Sequence, residues 1–342
     1  MSTIHGQAMA VTQKFGLKNL TLMEKSYPAP PPHHALVKLS NASLNYRDLL
    51  MIMGLYNPRQ PLPLIPCSDG VGEVIAVGEG CTLSIGDRVL PLFSQGWQAG
   101  EPTVEITQTT LGGPLDGTLA THICLAERGL VRAPDYLTDP QAGTLSCAAL
   151  TAWSALIELG QLRPGDRVLC IGTGGVSLFA TQIASHMGAE VFLTSRSEAK
   201  LDRVAALDVG AHHLIHTPKG EKWGKRLRGM TDGGVDHVVE VGGAGTLSHS
   251  LSAVRPGGTI SLIGVLSGGA APLNLLPILM RQVKVQGVIV GHRESFERML
   301  KMFTLHQICP VISARFSLYD APLAFEYMQN AEHIGKIDIK LS

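Results

Sequence analysis

One segment of the chain carries residue types and spacing that suit cofactor chemistry. It reads RVLCIGTGGVSLFATQIASHMGAEVFLTSR over Arg167–Arg196. An apolar run enters a glycine-rich turn, a long amphipathic stretch follows, and a second apolar run ends the segment, which predicts a parallel βαβ unit. Bare backbone N–H groups at the positive end of a helix dipole suit a diphosphate. The segment therefore predicts a dinucleotide site, and with it redox chemistry.

The glycine fingerprint of such sites is present with one departure. Gly172, Gly174 and Ser177 take its three positions, and serine is small enough to keep the helix close to the strand. A strand-to-helix turn without a ligand can show similar glycines, but the flanking strands and helix favour the nucleotide site. The residues expected to contact the cofactor here are Gly172, Thr173, Gly174, Gly175 and Val176.

The end of the second strand indicates which dinucleotide binds. An NAD site usually has an acidic residue there for the ribose hydroxyls, but Ser195 takes that position. Arg196 and, one helical turn on, Lys200 would suit a 2′-phosphate, so we predict NADP(H). Two alternatives stay open: both cations could be solvated surface charges, and Glu198 could turn back to the ribose and favour NAD(H).

Length and composition indicate a two-domain protein that acts on a small molecule. The chain has 342 residues, 45% of them apolar, which is enough for two cores. Lysine plus arginine and aspartate plus glutamate number 28 each, so nucleic acid and membrane surfaces are not expected partners.

The six cysteines are scattered and form no C-x-x-C pair, which is typical of a reducing compartment. The N-terminal residues lack the pattern of a signal peptide, and no run of about 18 apolar residues occurs. We therefore expect a cytoplasmic protein.

The remaining pattern predicts an α/β protein with two kinds of domain. Residues 1–130 show short alternating strands, with a Gly- and Pro-rich loop or lobe over 94–118. From about residue 145, strands alternate with helices and predict a doubly wound parallel sheet, with further strands at Val235–Val241, Thr259–Gly264 and Val283–Val290. We place the nucleotide-binding domain at 131–304 and return residues 305–342 to the first domain.

Many short motifs occur in the order found in one superfamily. The chain resembles the medium-chain dehydrogenases/reductases from end to end, and most closely their zinc-independent, quinone-oxidoreductase-like branch. The resemblance implies a GroES-like β-rich catalytic domain beside a Rossmann domain. The motifs that carry it are Asn45-Tyr-Arg-Asp48, Gly54-Leu-Tyr56, Pro66-Cys-Ser-Asp-Gly-Val-Gly72, Gly86-Asp-Arg-Val89, Cys147-Ala-Ala-Leu-Thr-Ala-Trp153, Pro164-Gly-Asp-Arg-Val168 and Gly172-Thr-Gly-Gly-Val176.

The resemblance also raises the question of zinc. Aligned by motif, Asn45 and Ser68 stand where zinc alcohol dehydrogenases have a cysteine and a histidine ligand, and only Cys147 remains. An amide, a hydroxyl and one thiol bind zinc poorly, so no metal site is expected. The segment 94–118 contains no cysteine for a structural zinc site.

Without a Lewis acid, reduction of a polarised double bond is easier than oxidation of an alcohol. The resemblance places Asn45, Tyr46 and Asp48 at the nicotinamide end of the site: Asn45 to donate a hydrogen bond, Tyr46 to supply a proton or form a wall, and Asp48 to orient neighbours. We expect an NADPH-dependent reductase of quinones, enones or enals. The alternatives are an NAD(P)-dependent alcohol dehydrogenase and an NADPH-binding protein without turnover.

Other expectations follow only from the resemblance. Residues matching cofactor contacts of the family are Thr151, Gly243, Val265, Leu266, Gly291 and Arg293. Members usually dimerise through the edge strand near Val283–Val290, so a homodimer is expected.

Overall fold

The computed structural model describes residues 3–341, which form two compact units. The first consists of Met1–Ala148 together with Gly291–Ser342, and the second is the contiguous segment Ala149–Val290. These limits differ from the predicted boundaries at 130 and 304, and the second difference arises because the helix Arg293–His306 belongs to the first unit. Its first two N–H groups donate to the carbonyls of Trp97 and Gln98 at 3.0 and 3.1 Å.

Within residues 3–341 we number fifteen strands and eleven α-helices. The strands are β1 Ile4–Val11, β2 Leu20–Tyr27, β3 His34–Ser43, β4 Asp69–Val77, β5 Arg88–Pro91, β6 His122–Ala126, β7 Leu130–Arg132, β8 Arg167–Ile171, β9 Glu190–Ser195, β10 His213–His216, β11 Val235–Glu240, β12 Val254–Leu262, β13 Lys284–Gly287, β14 Ile312–Ser317 and β15 Lys336–Lys340. The helices are α1 Tyr46–Ile52, α2 Val104–Thr107, α3 Asp139–Ala142, α4 Leu150–Trp153, α5 Gly175–His186, α6 Glu198–Ala206, α7 Trp223–Met230, α8 Leu247–Ala253, α9 Leu276–Met280, α10 Arg293–His306 and α11 Ala321–Gln329. Over the same residues, no helix combines the length and apolar content that a membrane crossing requires.

The second unit is built on a parallel sheet with strand order β10-β9-β8-β11-β12-β13. In chain order this is 3-2-1-4-5-6, the doubly wound arrangement of nucleotide-binding folds. Buried apolar side chains such as Leu169, Phe192 and Val238 line its strands and pack with Leu227 of α7. The predicted Rossmann domain is confirmed.

The first unit is mainly antiparallel. Its larger sheet has the order β14-β15-β3-β4-β5-β7, with β6 also paired to β3, and β1 pairs with β2 in a second sheet. Leu39 of β3, Ile337 and Ile339 of β15 and Phe325 of α11 share its buried apolar core. The strand β15 thus joins the C-terminal segment, with β14, to a sheet whose other strands lie between residues 34 and 132.

The edge strand β13 is shorter than the predicted Val283–Val290. Val290 has a positive φ of 38°, which a strand does not accommodate. The segment 94–118 is mostly irregular, as expected, and includes only the short helix α2.

Candidate functional site

The glycine-rich turn after β8 is shaped by one glycine and one hydroxyl. Gly172 has a φ of +82°, a conformation that glycine adopts without strain. Ser177, at the third fingerprint position, donates from Oγ to the carbonyl of Ile171 at 2.6 Å and so ties α5 to the end of β8. A Cβ built at Gly174 would meet no atom within 4 Å, so the backbone there is open to a ligand.

The sheet order places this turn at the topological switch point. Strands β8 and β11 are neighbours. From β8 the strands that follow in the chain lead to one edge of the sheet, and from β11 they lead to the other edge. Ligands of doubly wound sheets bind at the carboxyl ends of such a strand pair. The turn Gly172–Val176 lies at one of these ends and Gly243 at the other.

Glu240, which the sequence reading missed, holds the turn after β11. Its carboxylate is fully buried. Oε1 accepts from the N–H groups of Gly242 and Gly243 at 2.8 and 3.0 Å and from Thr246 Oγ1 at 2.5 Å, and Oε2 accepts from Ser250 Oγ. A lone acidic residue between an apolar strand and a Gly-Gly pair was the available signal.

The turn after β11 also requires glycine for packing. Gly243 has a φ of +80°, and a Cβ there would lie 2.8 Å from the Cα of Val265 and 2.8 Å from the carbonyl oxygen of Gly268. Val265 and Leu266 are exposed just beyond β12. The structure therefore brings Gly243 and Val265 together at this end of the sheet.

The end of β9 carries the predicted phosphate-binding residues. Ser195 is buried, and its Oγ accepts from the Ser197 N–H at 3.1 Å, whereas Arg196 is exposed. Glu198 lies 3.1 Å from His216 Nδ1, in an ion pair when that imidazole is protonated. This geometry directs the Glu198 carboxylate to β10.

The remaining predicted cofactor residues are divided between the units. Thr151 is buried in α4, and Lys200 lies in the first turn of α6, both in the second unit. Gly291 and Arg293 belong to the first unit. The Arg293 guanidinium donates to Glu297 at 2.8 Å and to the carbonyls of Glu127 and Arg128, so it is occupied by groups of its own unit.

In the first unit, a polar cluster is formed by the half-buried Asn45 and the buried Asp69 and Lys336. Asn45 Nδ2 donates to Asp69 Oδ2 at 2.9 Å. Lys336 Nζ donates to Asn45 Oδ1 at 2.6 Å, to Asp69 Oδ2 at 2.9 Å and to the carbonyl of Leu44 at 2.8 Å. The sequence reading missed Lys336, which is only 3% exposed. The available signal was a lysine at the start of a strand in which the apolar Ile337 and Ile339 alternate with charged residues.

Strand register brings these three side chains together. β3 lies between β4 and β15 and is antiparallel to both, with Ser43 opposite Asp69 on one side and Asp338 on the other. The end of β3 therefore meets the beginnings of β4 and β15. Asn45 follows this end, Asp69 begins β4 and Lys336 begins β15.

Asp48 caps the helix that follows Asn45. Its Oδ2 accepts from the Asn45 N–H at 2.8 Å, and its Oδ1 lies 3.8 Å from Arg47 Nη1. Complete burial raises the pKa of the Asp48 carboxyl to about 6, because desolvation outweighs the attraction of Arg47. Asp48 therefore orients α1 rather than joining the cluster.

Tyr46 and Arg47 lie beside the cluster. Tyr46 is 38% exposed and begins α1. Arg47 donates to the carbonyls of Leu111 and Gly113 at 2.8 and 3.0 Å, and its guanidinium lies over the ring of Phe93. Arg47 thus anchors the 94–118 segment to α1.

Two family models match the chain. Residues 31–135 match the alcohol dehydrogenase GroES-like domain, and residues 175–304 match the zinc-binding dehydrogenase domain. A zinc-type alcohol dehydrogenase-like protein of Schizosaccharomyces pombe is 38% identical over 331 residues, covering 94% of this chain and 95% of that protein.

One solved structure and one further relative are also similar to this chain over most of its length. The crystal structure of a candidate alcohol dehydrogenase from Sinorhizobium meliloti 1021 has a TM-score of 0.90 and 40% identity, with both chains covered completely. An acryloyl-coenzyme A reductase of Sulfurisphaera tokodaii is 27% identical over 328 residues, covering 93% of this chain and 96% of that enzyme.

The polar cluster does not fit the zinc ion that the family-model description implies. The Lys336 ammonium is bound to Asp69 and Asn45, so a cation of the chain itself already neutralises this carboxylate. Burial raises the pKa of the Cys147 thiol, which disfavours the thiolate. Within residues 3–341, no group of three or more His, Cys, Asp or Glu side chains is placed to share a metal ion.

The nucleotide turn can be tested with a matched glycine pair. Gly172→Ala and Gly165→Ala each force alanine into a positive φ, +82° and +87°, with no close contact, and each should cost about 1–2 kcal/mol of stability. Only Gly172→Ala should weaken binding of the nicotinamide cofactor, by about tenfold or more, because its methyl group lies on the predicted diphosphate-binding turn. Fluorescence titration measures the cofactor affinity of both variants. Equal affinities would contradict the assigned site.

The raised pKa of Asp48 predicts a pH-dependent stability. A pKa of about 6 in the folded state, above the ordinary aspartate value of 3.8, means that the folded state binds the proton more tightly than the unfolded state does. Stability should therefore fall as the pH rises from about 4 through about 6, with about 3 kcal/mol from this group. In urea unfolding, the free energy of unfolding of Asp48→Asn should lack this part of its dependence on pH. The variant Asp135→Asn, at an exposed site, should keep it. Identical slopes in the wild type and Asp48→Asn would contradict the assignment.

Proposed function

The chain belongs to the medium-chain dehydrogenase/reductase superfamily, and on that premise we propose that it is an NADPH-dependent, zinc-independent reductase of quinones, enones or enals. The observation that carries the proposal is the cluster in which the Lys336 ammonium binds the amide of Asn45, the residue aligned with a cysteine ligand of the zinc enzymes. The amide N–H of Asn45 that Asp69 does not use would donate a hydrogen bond to an oxygen that gains negative charge.

The second unit has the groups to hold the cofactor. Gly172–Val176 and the N-terminus of α5 would bind the diphosphate, and Arg196 with Lys200 would bind the 2′-phosphate. When bound, NADPH supplies a hydride and becomes NADP⁺. Glu240 contributes by fixing the N–H groups of Gly242 and Gly243.

The first unit has the groups to stabilise the reduced substrate. Asn45 uses one N–H on Asp69, which leaves the other available to a substrate carbonyl. In an enone, the hydride adds to the β-carbon, the double-bond electrons move to the carbonyl oxygen, and a proton from Tyr46 or solvent completes the reduction. The acryloyl-coenzyme A reductase among the relatives supports a conjugated double bond as substrate.

A second candidate is an NAD(P)-dependent alcohol dehydrogenase. The description of the relative from Schizosaccharomyces pombe favours it. It requires another means of lowering the pKa of the substrate hydroxyl, because the donor set of the cluster does not suit zinc.

The deciding assay is oxidation of NADPH against a panel of quinones, enones, alkenals and simple aldehydes, each with and without a chelator, and with NADH alongside. Chelator-resistant turnover of conjugated substrates is expected. Turnover abolished by the chelator, or restricted to aldehydes and alcohols, would support the alcohol dehydrogenase. Tight NADPH binding without turnover would indicate a binding protein.

Cofactor preference can be tested at the end of β9. Ser195→Asp should repel the 2′-phosphate and bind the ribose hydroxyls, and Arg196→Ala should remove a phosphate contact. Each should lower the ratio of kcat/KM for NADPH over NADH about tenfold or more. Arg203→Ala, in the last turn of α6, is the control. An unchanged ratio in both variants would exclude this end of β9 as the determinant.

We also propose a homodimer through the edge of the parallel sheet. All residues of β13 are exposed, and α9 beside it exposes Leu279 and Met280 at 71% and 75%. An unpaired strand edge next to apolar side chains suits a second copy of the chain. Leu279→Glu with Met280→Glu should convert the dimer to monomer in light scattering after gel filtration. A wild-type monomer would refute the proposal.

The cysteines support a reducing, cytoplasmic environment. All six are free thiols, and Cys67, Cys147 and Cys170 are buried. This agrees with their scattered spacing and with the absence of C-x-x-C pairs.

A further inference from the structure

Lys336 is bound in a way that specifies one orientation of a neighbouring amide. Its ammonium has three N–H donors, and all three are used, on Leu44, Asn45 and Asp69. Since an ammonium cannot accept a hydrogen bond, it must face the oxygen of the Asn45 amide. Asp69, which accepts from Nδ2, fixes the other end.

The same contacts polarise the amide. A cation on Oδ1 draws electron density from the group, and hydrogen bonds linked in series strengthen one another. The remaining N–H of Asn45 becomes a stronger donor than that of a free asparagine. The hydrogen bond from this N–H stabilises the acceptor most when the acceptor gains negative charge, because charge-assisted hydrogen bonds are stronger than neutral ones.

An ion pair alone does not explain this arrangement. Transfer of two charges into a buried site costs several kcal/mol, and apolar replacements of buried pairs are often equally stable. Both members of the Lys336–Asp69 pair hydrogen-bond to Asn45, which in the proposed function donates to the substrate oxygen. Its position, at the meeting of β3, β4 and β15, keeps the donor fixed by the sheet rather than by a loop.

We propose that Lys336 is a positioning residue of the reduction, which orients the Asn45 amide and strengthens its donation to the substrate oxygen. This inference rests on the proposed function. It differs from a purely structural role, in which the ammonium only compensates the buried Asp69 carboxylate.

Three variants separate these roles. Lys336→Met keeps the length of the side chain and removes the charge, but leaves Asp69 buried and unpaired. Asp69→Asn with Lys336→Met removes both charges and should recover thermal stability. Lys340→Met, an exposed lysine of the same strand, is the control.

The kinetic readout is the division between kcat and KM. Both Lys336→Met and the double variant should lose about 10- to 100-fold in kcat, the worth of one hydrogen bond to a charged group. KM and the Kd of NADPH should change much less, and Lys340→Met should match the wild type. A double variant that is stable and has wild-type kcat would overturn the proposal, because Lys336 would then only compensate the charge of Asp69.

A spectroscopic readout is independent of turnover. In protein labelled with ¹⁵N-asparagine, the Asn45 side-chain signal is identified by its loss in Asn45→Ala. Lys336→Met should move this signal upfield, whereas Lys340→Met should not. If the wild type reduces no substrate of the panel, the proposed function fails while this shift still tests the orientation of the amide; an unmoved signal would refute the inference.

Discussion

The antiparallel pairing of β3 with both β4 and β15 is the constraint on which the polar cluster depends. Three side chains from distant parts of the sequence meet because the end of one strand lies beside the beginnings of two others. A slip by one residue would reverse the face of each side chain and remove Lys336 from Asn45. The apolar core around Ile337 and Ile339 opposes such a slip, so hydrophobic burial holds the polar geometry.

In the second unit, the turns of the candidate site are held by interactions between residues that are close in sequence. Gly172, Ser177 and Glu240 act on residues at most ten positions away, through a positive φ, a hydroxyl-to-carbonyl bond and a buried carboxylate with four donors. In the proposed cofactor site, backbone groups of these turns rather than side chains would bind the diphosphate. The turn after β11 does not accommodate an added Cβ at Gly243, where it would lie 2.8 Å from the Cα of Val265.

This difference explains what the sequence could and could not predict. The βαβ unit around Gly172 was predictable because periodicity and glycine spacing act over about 30 residues. Asn45 was found only through resemblance to a family, and Lys336 was missed because the 291 positions between them leave no local pattern. The compact second unit ends at Val290 rather than at 304 for a similar reason, since α10 contacts the first unit through the distant Trp97 and Gln98.

The discontinuity of the first unit has a consequence for biosynthesis. The second unit is one uninterrupted segment, Ala149–Val290, so all of its strands leave the ribosome before β15 is made. At about 5–20 residues per second, β15 follows β3 by roughly 15–60 s. During that interval Asp69 lacks its cation, and β3 lacks one of its neighbours. The domain whose synthesis begins first is thus the last to complete its fold, and its nascent sheet edge has to stay unpaired until then.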